Sequence, residues 1–292
     1  MELPLVVGVD GSDASLAAVD WAVDEAARLG LPLRLVYASL WQRYEGALPS
    51  GGLQRPSEQV MADSIVGTAA ERAHRRDPEV KVVSTEVISA EASDTLLREG
   101  HNAYALVTGS RGRGELTGLL LGSVSLAVAS RAHCPVIVVR GDRAGLAGTH
   151  ERILLGAGDS ASAGEAVRFA FREAEARGCT LDAVRAWRCP AHKSADHPRP
   201  AGDPAHGHEQ RASALLDAVL HDASADHPGV RMRRTTVEGS ARKVLLDRSA
   251  AADLVIVGAR RRSGHFGLQL GRVGHTLLHH AQCPVAVVPQ RV

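Results

Sequence analysis

Residues 109–139 read GSRGRGELTGLLLGSVSLAVASRAHCPVIVV, and residues 258–288 read GARRRSGHFGLQLGRVGHTLLHHAQCPVAVV. Laid together without a gap at an offset of 149, they agree at 14 of 31 positions. The matches include both CPV endings and the glycine pairs Gly118/Gly122 and Gly267/Gly271. Chance does not hold register over that length, so the chain is a tandem duplication, and the repeat decides the fold before any element is assigned.

Working outward, each copy follows one plan. Apolar runs open both, at Leu5–Val9 and Ile153–Leu155, and give way to Gly, Asp and Ser. Helical periodicity follows in Ala14, Ala17, Ala18, Trp21, Ala22 and Glu25, and again in Ala166, Phe169, Ala170, Ala174 and Arg177. In the first copy this places strands at 4–9, 33–38, 81–87, 104–108 and 135–139, with helices at 14–29, 57–75, 90–99 and 122–131. In the second copy strands fall at 152–157, 180–186, 230–236, 253–257 and 284–288, with helices at 163–177, 207–222, 240–249 and 272–281. Continuous apolar strands alternating with helices predict α/β architecture, with parallel strands covered on both faces. The first domain is expected over 1–140, a Gly-rich linker over 141–150 and the second domain over 151–292. The long nonperiodic stretches 39–56 and 188–206 read as surface excursions at the carboxyl ends of strands, where open α/β sheets bind ligands.

Composition narrows the functions. Lys and Arg number 34 against 33 Asp and Glu, a net charge of +1, which builds no field for nucleic acid or an anionic membrane. Aromatic residues are 3% of the chain, too few for base-stacking platforms. The opening MELPLVVGVDGSD has no basic region or long apolar run of a signal peptide, and no stretch is long enough to span a bilayer. The expectation is a cytoplasmic protein. Cys134, Cys179, Cys189 and Cys283 show no CxxC spacing, and Cys134 and Cys283, each before a proline and valines, read as small buried side chains.

The chemistry concentrates after the fourth strand. Gly109, Gly112 and Gly114 lead through a short bridge to Gly122, Ser123, Val124 and Ser125. Glycines let backbone N–H groups approach an anion closely, and a helix entered at Ser123 adds unpaired donors and the positive end of its dipole. Ser123 and Ser125 offer hydroxyls, so a polyphosphate can be held without lysine. The competing reading makes the glycines plain turns and Ser123 a helix cap. The loop is neither a Walker A motif nor an early GxGxxG.

GSRGRGELTGLLLGSVS, with the opening VVGVDGSDAS and the ending CPVIVV, resembles the universal stress protein family, and the whole chain resembles its tandem two-domain members. The resemblance implies two open parallel five-stranded sheets of order 3-2-1-4-5 with helices on both faces. It also implies ATP at the carboxyl edge and pairing of domains through their last strands. On it, Asp10 holds the adenosine end, Ala38 lies by the adenine, Gly109 by the ribose, and Gly112 on the phosphate side. Gly122, Ser123, Val124 and Ser125 grip the phosphates, which carry Mg2+ themselves. The second copy departs from this pattern: Gly158 stands for Asp10, although Asp159 follows immediately, Arg261 for Gly112, Arg272 for Ser123 and Gly274 for Ser125. Arginine bulk is expected to close that loop, leaving a nucleotide-free partner domain; the alternative is a site where Arg260, Arg261, Arg262 and Arg272 hold another phosphorylated ligand.

Other clusters read as surface. His275, His279 and His280 share a helix without a carboxylate at matching spacing, and His192, His197, His206 and His208 lie in a proline-rich stretch. No Ser/His/Asp constellation has a supporting elbow motif, so no catalytic residue and no metal ligand is assigned. The function expected is an ATP-binding stress-response or regulatory protein with slow hydrolysis at most. Two alternatives stand beside it: a phosphoryl- or adenylyl-group enzyme, and a noncatalytic interaction module. Pairing of the two domains within the chain is expected, while a homodimer and a protein partner stay open.

Overall fold

The computed structural model describes residues 2–40, 58–112, 121–158, 164–189, 204–260 and 270–290. The first half runs β1 (Leu5–Gly8), α1 (Asp13–Leu29), β2 (Leu33–Ala38), α2 (Glu58–Arg76) and β3 (Val82–Ile88). It continues with α3 (Ala92–Glu99), β4 (Ala105–Gly109), α4 (Ser123–Arg131) and β5 (Val136–Val139). After a short helix, α5 (Arg143–Ala147), the second half repeats the plan as β6 (Arg152–Gly156), α6 (Gly164–Arg177), β7 (Thr180–Trp187), α7 (Pro204–Asp226) and β8 (Met232–Glu238). It ends with α8 (Ala241–Ser249), β9 (Leu254–Arg260), α9 (Arg272–His280) and β10 (Val285–Gln290).

The strands form one ten-stranded sheet of order β3-β2-β1-β4-β5-β10-β9-β6-β7-β8. Within each half the order is 3-2-1-4-5 and all pairings are parallel. The halves join where β5 meets β10 antiparallel, with Val138 opposite Val285, Ile137 opposite Ala286 and Val136 opposite Val287. Since Ile137 and Ala286 are equivalent residues of the repeat, a pseudo-twofold axis passes between them. The contact is therefore isologous, the geometry of a symmetric dimer made within one chain. It also pairs what would otherwise be two exposed sheet edges.

Local sequence explains the elements. Strands such as β5, VIVV, are buried along their whole length, as helix-covered parallel strands require. Ser12 caps α1 by accepting from the N–H of Ser15, and Gly30 ends it at φ 66°, while Gly178 takes φ 61° after α6. Helix α7 extends beyond the expected 207–222 at both ends: Pro204 suits a first helical position, and Ala212, Leu216, Leu220 and Ala223 keep one face buried. The bulk of the expected excursions (41–57 and 190–203) lies outside the described residues. No described helix is long and apolar enough to cross a membrane.

Both faces of the sheet carry a core that runs through the two halves. One contains Trp21, Val7 and Ile137 with Phe169, Leu155 and Ala286; the other contains Leu96, Val128 and Val138 with Leu245, Leu277 and Val285. The segment between the halves is not a free tether. Asp142 caps α5 by accepting from Gly145, and its own N–H donates to Gln282. Gly141 has φ 110° and lies so close to Gln282 that a Cβ would meet its carbonyl oxygen at 2.2 Å. Arg140 donates to the carbonyls of Ala281 and Leu278 at the end of α9.

Duplication is also visible in charge. Arg34 on β2 sits 2.9 Å from Glu99, and the equivalent pair in the second half is Asp182 and Arg248 at 3.0 Å, with the signs exchanged. The most consequential charges lie where α1 and α6 meet. Glu25 and Glu173, equivalent residues of the repeat, are both fully buried, and Arg177 contacts Glu25 directly and Glu173 at 3.5 Å. Arg28 adds a 3.0 Å contact to Glu25, and Arg177 also lies over the Trp21 ring. Burial pushes Glu25 upward, but the charge of Arg177, the hydrogen bond from Glu173 and the charge of Arg28 outweigh it and hold the carboxyl below its ordinary range. Burial also raises Glu173, and there the Glu25 charge adds to it, so Glu173 stays well above the ordinary range despite Arg177. Neither Glu173 oxygen receives a conventional hydrogen bond, which a neutral acid donating to Glu25 explains.

The stability contributed by Glu25 is present above the ordinary carboxylate range and is lost as pH falls through its depressed pKa. That of neutral Glu173 is present below the ordinary range and is lost as pH rises through its elevated pKa. Glu173→Gln, which mimics the neutral acid, is therefore expected to lessen the decline in urea-unfolding free energy as pH rises above the ordinary carboxylate range. Glu25→Gln removes the direct partner of buried Arg177 and is expected to cost about 3–5 kcal/mol. Equal effects of the two substitutions at every pH would contradict the shared-proton assignment.

Candidate functional site

In the first half the strand order reverses between β1 and β4, and the loops leaving their carboxyl ends diverge there, the usual place for a ligand in an open α/β sheet. A cavity of about 280 Å³ lies at that point. Its lining includes all eight residues singled out from sequence: Asp10, Ala38, Gly109, Gly112, Gly122, Ser123, Val124 and Ser125.

The glycines are required by crowding. A Cβ on Gly109 would meet the carbonyl oxygen of Ala14 at 2.5 Å, and one on Gly112 would meet Oδ2 of Asp10 at 2.6 Å. The β4 loop is thus drawn against the β1 loop. Asp10 Oδ1 accepts from the Ser12 N–H at 2.9 Å and from the Ser12 hydroxyl at 2.6 Å, fixing the carboxylate at the cavity wall. The Gly122 N–H donates to Ser110 at 2.8 Å, closing the far side of the loop.

The two serines differ. Ser125 is buried and its hydroxyl donates to the Gly109 carbonyl at 2.7 Å, so its proton ties α4 to the end of β4. Ser123 is exposed at the first position of α4. It is not the cap: Gly122 holds that position, and no side chain caps the helix. The first-turn N–H groups therefore have no side-chain acceptor, and they carry the partial positive charge of the helix end.

Sequence reasoning missed other contributors, among them Thr108, Arg111, Val36 and Leu96, which also line the cavity. Thr108 Oγ1 is buried without a hydrogen-bond partner, a state that costs free energy unless a ligand or water answers it. Its place immediately before Gly109 was the available signal. Val36 and Leu96 form apolar wall together with Gly8 and Val9.

At the equivalent place in the second half, arginine bulk was expected to close the loop. Residues 261–269 of that loop lie outside the described residues; the described ones surround a cavity of about 710 Å³ lined by Gly158, Arg185, Arg260, Arg272 and Gly274 among others. Gly114, Gly118, Asp159, Arg261, Arg262 and Gly267 lie outside the described residues.

His275 and His279 stack with ring centroids 4.4 Å apart, as helical spacing implied. Among the described residues no group of three or more His, Cys, Asp or Glu could hold a metal ion. His192 and His197 lie outside them. Cys134 and Cys283 are buried, and burial pushes the Cys134 thiol up to about 12, far from a reactive thiolate.

A family model described as the universal stress protein family matches residues 3–140 and again 149–289. Universal stress protein Rv2623 of Mycobacterium tuberculosis is 32% identical over 293 residues, covering 98% of this chain and 96% of the relative. Universal stress protein Rv2005c of the same organism is 32% identical over 304 residues, covering 98% and 97%. Among solved structures, a universal stress protein from Archaeoglobus fulgidus superposes with a TM-score of 0.68 at 16% identity, covering 98% of each chain, which shows the fold.

Two substitutions test how the site is built. Gly109→Ala is expected to lower stability by about 1–3 kcal/mol through overpacking. Ser125→Ala is expected to cost about 1–3 kcal/mol by leaving the Gly109 carbonyl unanswered. Gly67→Ala, on α2 with nothing within 4 Å of the added Cβ, serves as the control and is expected to stabilise by roughly 0.5–1 kcal/mol. Urea denaturation compares the three; a Gly109→Ala variant as stable as the parent would remove the crowding argument.

Proposed function

Since the chain belongs to the universal stress protein family, with one such domain in each half, we propose that its first half binds ATP and that the protein acts as a regulatory or stress-response nucleotide binder. The observation that carries this reading is the uncapped N-terminus of α4 beside a cavity that gathers Asp10, the loop glycines and the unpartnered Thr108.

The lining divides by chemistry. Val36, Ala38 and Leu96 offer an apolar wall suited to a purine, and Asp10, held by Ser12, is a carboxylate acceptor suited to ribose hydroxyls. The N–H groups of Ser123, Val124 and Ser125, with the Ser123 hydroxyl, are donors suited to phosphate oxygens. Mg2+ would ride on the phosphates, because the described lining offers no cluster of metal ligands. Bound Mg2+ would spread and neutralise phosphate charge.

Efficient hydrolysis needs a positioned water and a base to receive its proton. Asp10 is the one acidic residue among the described lining, and its Oδ1 is already taken by Ser12. The reading is therefore binding with little or slow turnover, in which occupancy orders the loop before α4 and so sets the surface presented to partners.

Calorimetry is expected to give one ATP per chain. Gly122→Val should weaken it by at least about tenfold, since the added side chain has room to fold but crowds the donors. Ser123→Ala should weaken binding by roughly 3–10-fold, one hydrogen bond to a charged group. Unchanged ATP affinity in Gly122→Val would sink the site assignment. Rapid single-turnover cleavage abolished by Ser123→Ala would sink the claim of slow hydrolysis.

A further inference from the structure

The second cavity keeps the frame of the first and changes its chemistry. The Asp10 position is Gly158, the Thr108 position is Val257, and the Ser123 and Ser125 positions are Arg272 and Gly274. Tyr37, at the end of β2, is replaced by Arg185. The first cavity has one acid, Asp10, and one arginine, Arg111, in its described lining. The second has Arg185, Arg260 and Arg272 and no acid in its described lining.

The arginines come from three separate elements, β7, β9 and the first turn of α9, and converge on one opening. Arg185 is steered there by donating to the Gly158 carbonyl at 2.5 Å, a contact made where the loss of a carboxylate removed the first half's acidic anchor. Guanidinium groups in a concave site bind carboxylate and phosphate oxygens in paired hydrogen bonds, and the uncapped start of α9 adds backbone donors. Beneath them the wall is apolar: Leu155, Val184, Leu245, Val257 and Val287. Among the described residues its lining holds none of the carboxylate and hydroxyl groups that suit the first cavity to a ribose.

We propose that the second cavity binds a small organic anion, a carboxylate or phosphate group on an apolar body, and that its ligand differs from that of the first cavity. The charged group meets Arg185, Arg260 and Arg272, and the body fills the apolar floor. This proposal does not depend on ATP binding by the first half.

Full-length protein is titrated with 1-naphthyl phosphate, 1-naphthoate and the neutral 1-naphthol, followed by naphthalene fluorescence and calorimetry. The phosphate or the carboxylate probe, or both, is expected to bind at one site per chain, with 1-naphthol weaker by at least about tenfold. Whichever charged probe binds more tightly identifies the anionic group preferred. Arg185→Tyr and Arg272→Ser install the first half's residues at these exposed or half-buried positions. Together they should weaken the charged probes by at least about tenfold, with a thermal melt confirming the fold. Arg272→Ser alone provides the same readout if the double variant melts early. Saturating ATP should leave probe binding unchanged. Absence of charged-probe binding, equal binding of 1-naphthol, or insensitivity to both variants would overturn the proposal. So would displacement by one equivalent of ATP, or a second equivalent of ATP removed by the arginine substitutions.

Discussion

Everything in this molecule is referred to the antiparallel pairing of β5 with β10. Three residue pairs, Val138–Val285, Ile137–Ala286 and Val136–Val287, set the axis that relates the halves. Because the two strands run in opposite directions, the carboxyl edges of the halves face opposite ends of the sheet. Each cavity is therefore built from its own half, while the cores on both sheet faces are shared. The short segment between the halves packs on the loop before β10, so connection and pairing are parts of one contact. Burial of apolar area is the main force here, and it acts on both halves together.

The same axis explains the buried charge. Helices α1 and α6 are equivalent and must meet, so Glu25 and Glu173 are brought face to face by symmetry alone. Two ionised carboxylates cannot share such a place. The chain escapes by breaking the symmetry: Arg177 stands where the first half has Leu29, and it sides with Glu25, as Arg28 does. Glu173 is left to carry the proton. The exchanged signs of Arg34–Glu99 and Asp182–Arg248 show the same freedom at another place. Once copied, a half is free to change its charges wherever its partner charge changes too.

Much of this was legible in the sequence because it rests on backbone. Strands such as LVVG and VIVV can only be covered on both faces, and the CPV repeat fixed the copies in register. Gly109 and Gly112 were readable because the end of β4 and the loop after it run so close to α1 and Asp10 that no Cβ fits. What escaped notice depends on contacts between distant side chains. Glu25 looks like any helical carboxylate until Glu173 is placed against it across the axis. Arg185 looks like a strand residue until its carbonyl partner, Gly158, is known. Arg272 was read as bulk on the second loop, and it lines the second cavity together with Arg185 and Arg260, which the sequence alone does not bring together. The competing reading of Ser123 as a helix cap fails, because Gly122 already occupies the capping position.

The central claim is that one frame carries two sites of different chemistry, a nucleotide site in the first half and none in the second. A crystal structure of the full chain grown with Mg2+ and a nonhydrolysable ATP analogue tests it most directly. The account predicts analogue density beside Asp10 and the first turn of α4, and none beside Gly158 and Arg272. Equal density in both cavities, or density confined to the second, would contradict it.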